Sequence, residues 1–140
     1  MYNFVKVKVV GKLIFKSCLS SITAVEEYIE TLSRKLQIDD AIYGNMLLAV
    51  VEAVTNAIEH GNAFDEKKKV IFEVHQKGKY LMFFIKDQGA GFDPNAVPDP
   101  TLPENVEVPR GRGVFLIRNL ADSVQFVENG TGVKLEFALT

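Results

Sequence analysis

All five prolines of this 140-residue chain fall between Pro94 and Pro109, and that clustering decides much of what the rest can be. A proline lacks the backbone N–H and fixes φ, so the segment is expected to be irregular. The patterned sequence on either side of it is too short in strands to build a sheet of its own. The loop is therefore read as an insertion within one domain spanning residues 1–140. A compact domain rarely keeps so long a structureless loop without a use for it.

Residues 2–10 alternate apolar and polar, with Phe4, Val7 and Val9 set against Lys6 and Lys8, a strand pattern. Gly11-Lys12 offers a turn, and Leu13-Ile14-Phe15 reads as a second short strand. Ser20 or Ser21 can cap a helix that runs to about Leu36. Asp39 and Asp40 favour a second helix start, and Gly61-Asn62 a stop after His60. Val70–His75 and Tyr80–Ile85 form a hairpin across Lys77-Gly78-Lys79. A helical run from Val114 to Leu120 and two strands, 123–127 and 133–139, close the chain. Strands joined by short turns point to an antiparallel sheet. With helices on one face, the expected class is α+β, a two-layer α/β sandwich.

Composition removes several functions. An apolar fraction of 47% supports a core, and a net charge of −2 argues against a nucleic-acid-binding face. The run Lys67-Lys68-Lys69 is most simply a solvated turn. Cys18 is the only cysteine, so neither an intrachain disulfide nor a zinc-finger-like site can form. The alternating N-terminus is unlike a signal peptide, and no stretch is read as long and apolar enough to span a bilayer. A soluble cytoplasmic protein is the expectation.

The second helix is the most informative segment. At one hundred degrees per residue, Leu47, Val51, Val54 and Ile58 cluster opposite Asn45, Glu52, Asn56 and Glu59. Glu52 and Asn56, four residues apart, are side-chain neighbours. Ala49 and Ala53 beside them would leave room for a ligand. An ordinary amphipathic helix with a wet face would show the same division. Yet no Lys, Arg or Gln lies between Asn45 and His60, and a mid-helix Asn needs a reason.

Two further motifs follow. In Asp87-Gln88-Gly89-Ala90-Gly91, a carboxylate at a strand end can accept a hydrogen bond from an exocyclic amine, and the glycines let a flat ring approach. Asp and Gly are also ordinary turn residues after a strand. Arg110-Gly111-Arg112-Gly113 stands before a helix, where free N–H groups, the helix dipole and two guanidinium groups all suit phosphate. A flexible hinge would look the same. The motif is neither a Walker A loop nor a dinucleotide fingerprint.

Each motif alone is modest, but their order is specific. A helix with E-x-x-x-N, a hairpin ending in D-x-G-x-G, a loop, then G-x-G at a helix start resembles the GHKL (Bergerat) ATPases over roughly Ile42 to Leu139. Glu52 to Gly61, reading EAVTNAIEHG, looks like the signature helix of the anti-sigma-factor serine kinases. Neither His60 nor His75 is placed as the phosphoacceptor of a histidine kinase.

The resemblance implies a histidine kinase-like fold and ATP with Mg2+. It implies Asn56 as magnesium ligand, Glu52 as general base toward a serine hydroxyl, and Asp87 as reader of the adenine amine. Gly89 and Gly91 would admit the ring, and residues 92–109 would form the ATP lid. Arg110, Gly111, Arg112 and Gly113 would hold the β- and γ-phosphates. Thr131 would lie near the adenine, or simply be a residue of the Gly130-Thr131-Gly132 turn. The implied partners are an anti-anti-sigma (STAS) protein as substrate, a sigma factor that the kinase sequesters, and a second copy in a homodimer. Two other roles stay open at this point: a nucleotide-dependent switch without phosphotransfer, and a kinase acting on a separate signalling complex.

Overall fold

The computed structural model describes residues 6–96 and 109–140, and the side chains of all of these except 96 and 109–111. The elements are β1 (Val7–Lys16), α1 (Ser21–Lys35), α2 (Asp40–Asn56), β2 (Lys69–Lys77), β3 (Tyr80–Lys86), α3 (Pro109–Leu120), β4 (Ser123–Val127) and β5 (Gly132–Ala138). The five strands form one sheet in the order β1-β2-β3-β5-β4, every pair antiparallel.

Alternation along the strands sends Val70, Phe72, Val74, Leu81, Phe83, Ile85, Leu135 and Phe137 to one buried face. Phe83 lies 5.9 Å from Phe72 on one side and 5.9 Å from Phe137 on the other. Tyr28 of α1 meets Phe72 edge-on at 5.7 Å, which joins the helical layer to the sheet. The opposite sheet face leaves Val9, Ile14 and Tyr80 exposed. The expected α+β two-layer arrangement is the one observed.

Four local expectations give way. The two N-terminal strands are one, because Gly11 makes no turn. The register shifts between Val9 and Gly11 as a bulge, and a Cβ at Gly11 would meet the Tyr28 hydroxyl at 1.9 Å. The portion of that reading before residue 6 lies outside the described residues. Ser20 occupies the N-cap of α1 but makes no capping bond; its hydroxyl faces Cys18 Sγ at 3.1 Å instead. By contrast, Asp39 caps α2 as expected, accepting from the Ala41 N–H at 2.9 Å.

The third correction concerns α2 itself. Its buried stripe is Met46, Ala49, Val50, Ala53, Val54, Ala57 and Ile58, so Leu47 and Val51 sit only at the margin. Ala49 is core rather than open space for a ligand. Ala53, 3% exposed, is likewise largely core but also lines a small cavity beside Asn56. Asp40–Gly61, a continuous helical run of 22 residues, has the length and composition of a membrane-crossing helix, where none was expected. Here its apolar stripe packs into the core. Fourth, α3 begins at Pro109 and not at Val114, since a proline at the first helical position loses no hydrogen bond. Pro94 likewise opens a short 3-10 turn, Pro94–Ala96.

Candidate functional site

The end of α2 is wound differently from the rest. After Asn56 the chain widens into a π-turn, Ala57–Gly61, in which Asn62 N–H donates to the Ala57 carbonyl at 2.8 Å. Ala63 and Phe64 then adopt left-handed conformations, with φ of 50° and 58°. The widened turn carries Gly61 against the residue that follows β3. A Cβ at Gly61 would lie 2.3 Å from Cγ of Asp87, and one at Gly89 would lie 1.9 Å from the Gly61 carbonyl oxygen. Asp87, Gly89 and Gly61 therefore form one tight cluster. In the sequence Gly61 reads as a helix stop and as the last residue of the EAVTNAIEHG signature; its contact with Asp87 is a finding of the structure.

Asp87 is 5% exposed. Its N–H donates to the Thr131 carbonyl at 2.9 Å, and its Oδ1 accepts from the Gly89 N–H at 2.8 Å. Thr131, in the turn before β5, lines the same cavity as Asp87. The Thr131 hydroxyl also donates to the Glu128 carbonyl at 2.8 Å, so it serves the hairpin as well. Gly91 has a φ of +83°, and a Cβ there would lie 2.0 Å from the Asn129 carbonyl oxygen. That glycine joins the segment after β3 to the β4–β5 turn, where Glu128, Asn129 and Gly130 have φ of 52°, 58° and 85°. Phe92 donates its N–H to the same Asn129 carbonyl at 3.0 Å and meets Phe126 edge-on at 5.3 Å.

The other end of the site lies between α2 and α3. A Cβ at Gly113 would sit 3.0 Å from Asn56 Nδ2 and 3.2 Å from Glu52 Oε2, so the helices close over these two side chains only because residue 113 has none. Burial pushes the Glu52 carboxyl above its ordinary range; the nearby Glu59 carboxylate adds to this, and the Arg112 guanidinium opposes it. A half-buried carboxylate of raised basicity facing a cavity suits proton abstraction. The helix start at Pro109 puts Arg110 and Gly111 in the first turn, where backbone N–H groups have no intrahelical acceptor. Gly113 lies beyond them, and the Arg110 side chain is outside the description. Of the segment 92–109, expected from the resemblance to be an ATP lid, residues 97–108 lie outside the described residues.

Two cavities record this geometry. One, of about 20 Å³, is lined by Ala53, Asn56, Asp87, Phe92, Phe126 and Thr131 among others. The second, of about 250 Å³, is lined by Glu52, Asn56, Glu59, His60, Arg112 and Gly113 among others. Asn56 is common to both. A larger space of about 470 Å³ lies on the other sheet face, at Val7, His75, Tyr80 and Met82, and contains none of the sequence-predicted residues. Among the described residues, no group of three or more His, Cys, Asp or Glu could hold a metal.

Comparison with known proteins bears on this arrangement. The family model described as a histidine kinase-like ATPase domain matches residues 15–138. An anti-sigma F factor of Oceanobacillus iheyensis is 35% identical over 89 residues, covering 60% of this chain and 61% of that protein. A serine-protein kinase RsbW of Listeria innocua is 30% identical over 96 residues, covering 64% and 61%. The chain thus spans about three fifths of the length of these relatives. A crystal structure of the RsbU and RsbW domains of a Mycobacterium tuberculosis protein superposes with a TM-score of 0.66 at 16% identity, covering 93% of this chain and 33% of that one. That last likeness concerns the fold.

Proposed function

Because this chain belongs to the histidine kinase-like ATPase family, we propose that it is an ATP-dependent serine/threonine protein kinase of the anti-sigma type. The observation that carries this reading is the position of Asn56, which lines both cavities and so joins the Asp87 end to the Glu52 end. A nucleotide laid along that path would have its base at Asp87 and its phosphates between Asn56 and the start of α3. The small cavity has room for about one water and not for a purine, so in this reading its walls open when the base enters.

In this reading Asp87 accepts from the exocyclic amine of adenine, with Thr131 alongside. Gly89 and Gly91 let the backbone fold tightly enough to hold that carboxylate in place. The N–H groups of Arg110 and Gly111 and the guanidinium of Arg112 face the phosphates, and Gly113 leaves space for them. A single carboxamide with no carboxylate cluster fits Mg2+, which takes most of its ligands from phosphate and water; Asn56 would hold it, and the ion would offset the phosphate charge. Glu52 takes the proton of the incoming serine hydroxyl. The serine oxygen then bonds to the γ-phosphorus as the bond to the ADP oxygen breaks.

The names of the relatives support the protein partners. The proposed substrate is a serine on an anti-anti-sigma (STAS) domain, the proposed sequestered partner is a sigma factor, and the proposed assembly is a homodimer in the cytoplasm. The raised basicity of Glu52 favours a transferring enzyme over a switch that only binds nucleotide.

The test is transfer of labelled phosphate from ATP to a STAS partner. Glu52→Ala is expected to lower the rate by about 10²–10⁴-fold, the usual contribution of a positioned general base; undiminished transfer would sink the role of Glu52. Calorimetry should find ATP binding that needs magnesium and weakens in Asn56→Ala. Absence of binding by the wild type would remove the reading altogether.

A further inference from the structure

Outside the residues given a role in the site, the strongest polar cluster among the described residues is centred on Asn62. Its side chain is fully buried and fully used. Nδ2 donates to Ser17 Oγ at 2.7 Å and to the Lys69 carbonyl at 3.0 Å, and Oδ1 accepts from the Gln88 N–H at 2.7 Å. Ser17, also fully buried, donates its hydroxyl to the Lys68 carbonyl at 2.6 Å. The Gln88 side chain closes the ring by accepting from the Lys69 N–H at 2.6 Å. Four segments meet here: the end of β1, the exit of the π-turn, the start of β2 and the turn after β3.

Both chain neighbours of this junction bear on Asp87. Asn62 follows Gly61, whose α-carbon abuts the Asp87 carboxylate. Gln88, the residue Asn62 grips, follows Asp87 directly. The Asp87 N–H is held from the other side by Thr131. One buried carboxamide thus fixes the wall against which the carboxylate rests and also the peptide that carries it. A backbone turn built on left-handed Ala63 and Phe64 would not hold this shape unaided.

We propose that Asn62 is a positioning residue that sets the Asp87 carboxylate for recognition of a purine amine. This rests on the nucleotide reading above and deepens it, because it makes base selectivity depend on a side chain that never touches the base. The chemistry at Glu52 lies more than two helical turns back along α2 and should be indifferent to it.

The experiment titrates ATP and GTP into wild type, Asn62→Ala and Ser17→Ala, and measures kcat and KM for ATP with a STAS partner. For Asn62→Ala the expected result is an ATP affinity lower by about tenfold, the order of one buried hydrogen bond, with a similar loss of preference over GTP. kcat at saturating ATP should stay near wild type. Ser17→Ala loosens the same junction but keeps the Gln88 bond, and should keep affinity within about twofold. Asn62→Ala with wild-type affinity and selectivity, or with lowered kcat at unchanged KM, overturns the proposal. Should Asn62→Ala fail to fold, amide exchange in the wild type decides: the Gln88 N–H is expected to exchange far more slowly than a solvated amide, and rapid exchange overturns the clamp. Wild type that binds neither nucleotide overturns the nucleotide reading itself, whatever the Gln88 amide does.

Discussion

The α-carbon of Gly61 and the carboxylate of Asp87 leave no room between them for a methyl group. An added Cβ would stand 2.3 Å from both Cγ and Oδ2, so an alanine there forces the buried carboxylate out of its place. Gly61→Ala is therefore expected to displace Asp87, weakening ATP binding at least about tenfold and costing roughly 1–3 kcal/mol of stability through overpacking. Calorimetry and denaturant unfolding would measure the two. Normal affinity in a normally stable variant would mean that Asp87 does not read the base.

Gly113→Ala should separate stability from activity. Alanine favours the helix by about 1 kcal/mol over glycine, while its methyl crowds Asn56 and Glu52 at 3.0–3.2 Å. The expected outcome is an unfolding free energy within about 1 kcal/mol of wild type and a kcat reduced at least about tenfold, since small misplacements of reacting groups are costly. A variant of full activity would show that the two side chains can move aside without consequence.

The raised Glu52 carboxyl predicts a pH signature. Glu52 must be ionised to accept a proton, so the acid limb of kcat/KM should lie above the ordinary glutamate value of about 4.3. Removing a neighbouring negative charge with Glu59→Gln should move the limb to lower pH, and removing the positive charge with Arg112→Gln should move it higher. The stability effect has its own sign. A folded-state value above the unfolded one contributes stability below the unfolded value, and this is lost as pH rises through the folded value. At neutral pH the ionised group is a burden on the fold, so Glu52→Gln should melt at a higher temperature than wild type while losing transfer. A lower melting temperature at pH 7 would contradict that sign.

For the fold, Phe83 is the sharpest probe. It is fully buried between Phe72 and Phe137 on adjacent strands. Phe83→Ala should cost about 3–5 kcal/mol, read from denaturant midpoints. A cost under about 1 kcal/mol would mean the core is not organised around this row.

The parts of the site that were legible in the sequence are those fixed by local periodicity. The 3.6-residue pattern of α2 and the alternation of β2 and β3 put Glu52, Asn56 and Asp87 where they are found. What stayed hidden depends on partners distant in the chain. Gly11 is spared a side chain by Tyr28, 17 positions further on, and so was mistaken for a turn. Asn62 looked like a helix stop because its partners lie 45, 7 and 26 residues away. Pro109 reads as the end of the proline loop because a proline is punctuation by local rules, yet the first position of a helix tolerates it and α3 begins there. Ala49 is fully buried among the core residues, a placement set by what packs against α2, which a helical wheel does not contain.

The left-handed pairs Ala63–Phe64 and Glu128–Asn129 have a consequence for how this protein can evolve. Each such residue costs roughly 1–2 kcal/mol relative to a relaxed backbone, and each pair sits in a loop that also touches Asp87, the first just after Gly61 and the second just before Thr131. Glycine at these four positions would relieve that cost, so thermal robustness is within reach of single substitutions. The same substitutions would slacken the two loops whose rigidity shapes the cavity. A lineage that takes its heat tolerance at these four positions would therefore gain it in the loops beside Asp87, where each gain loosens the grip on a ligand.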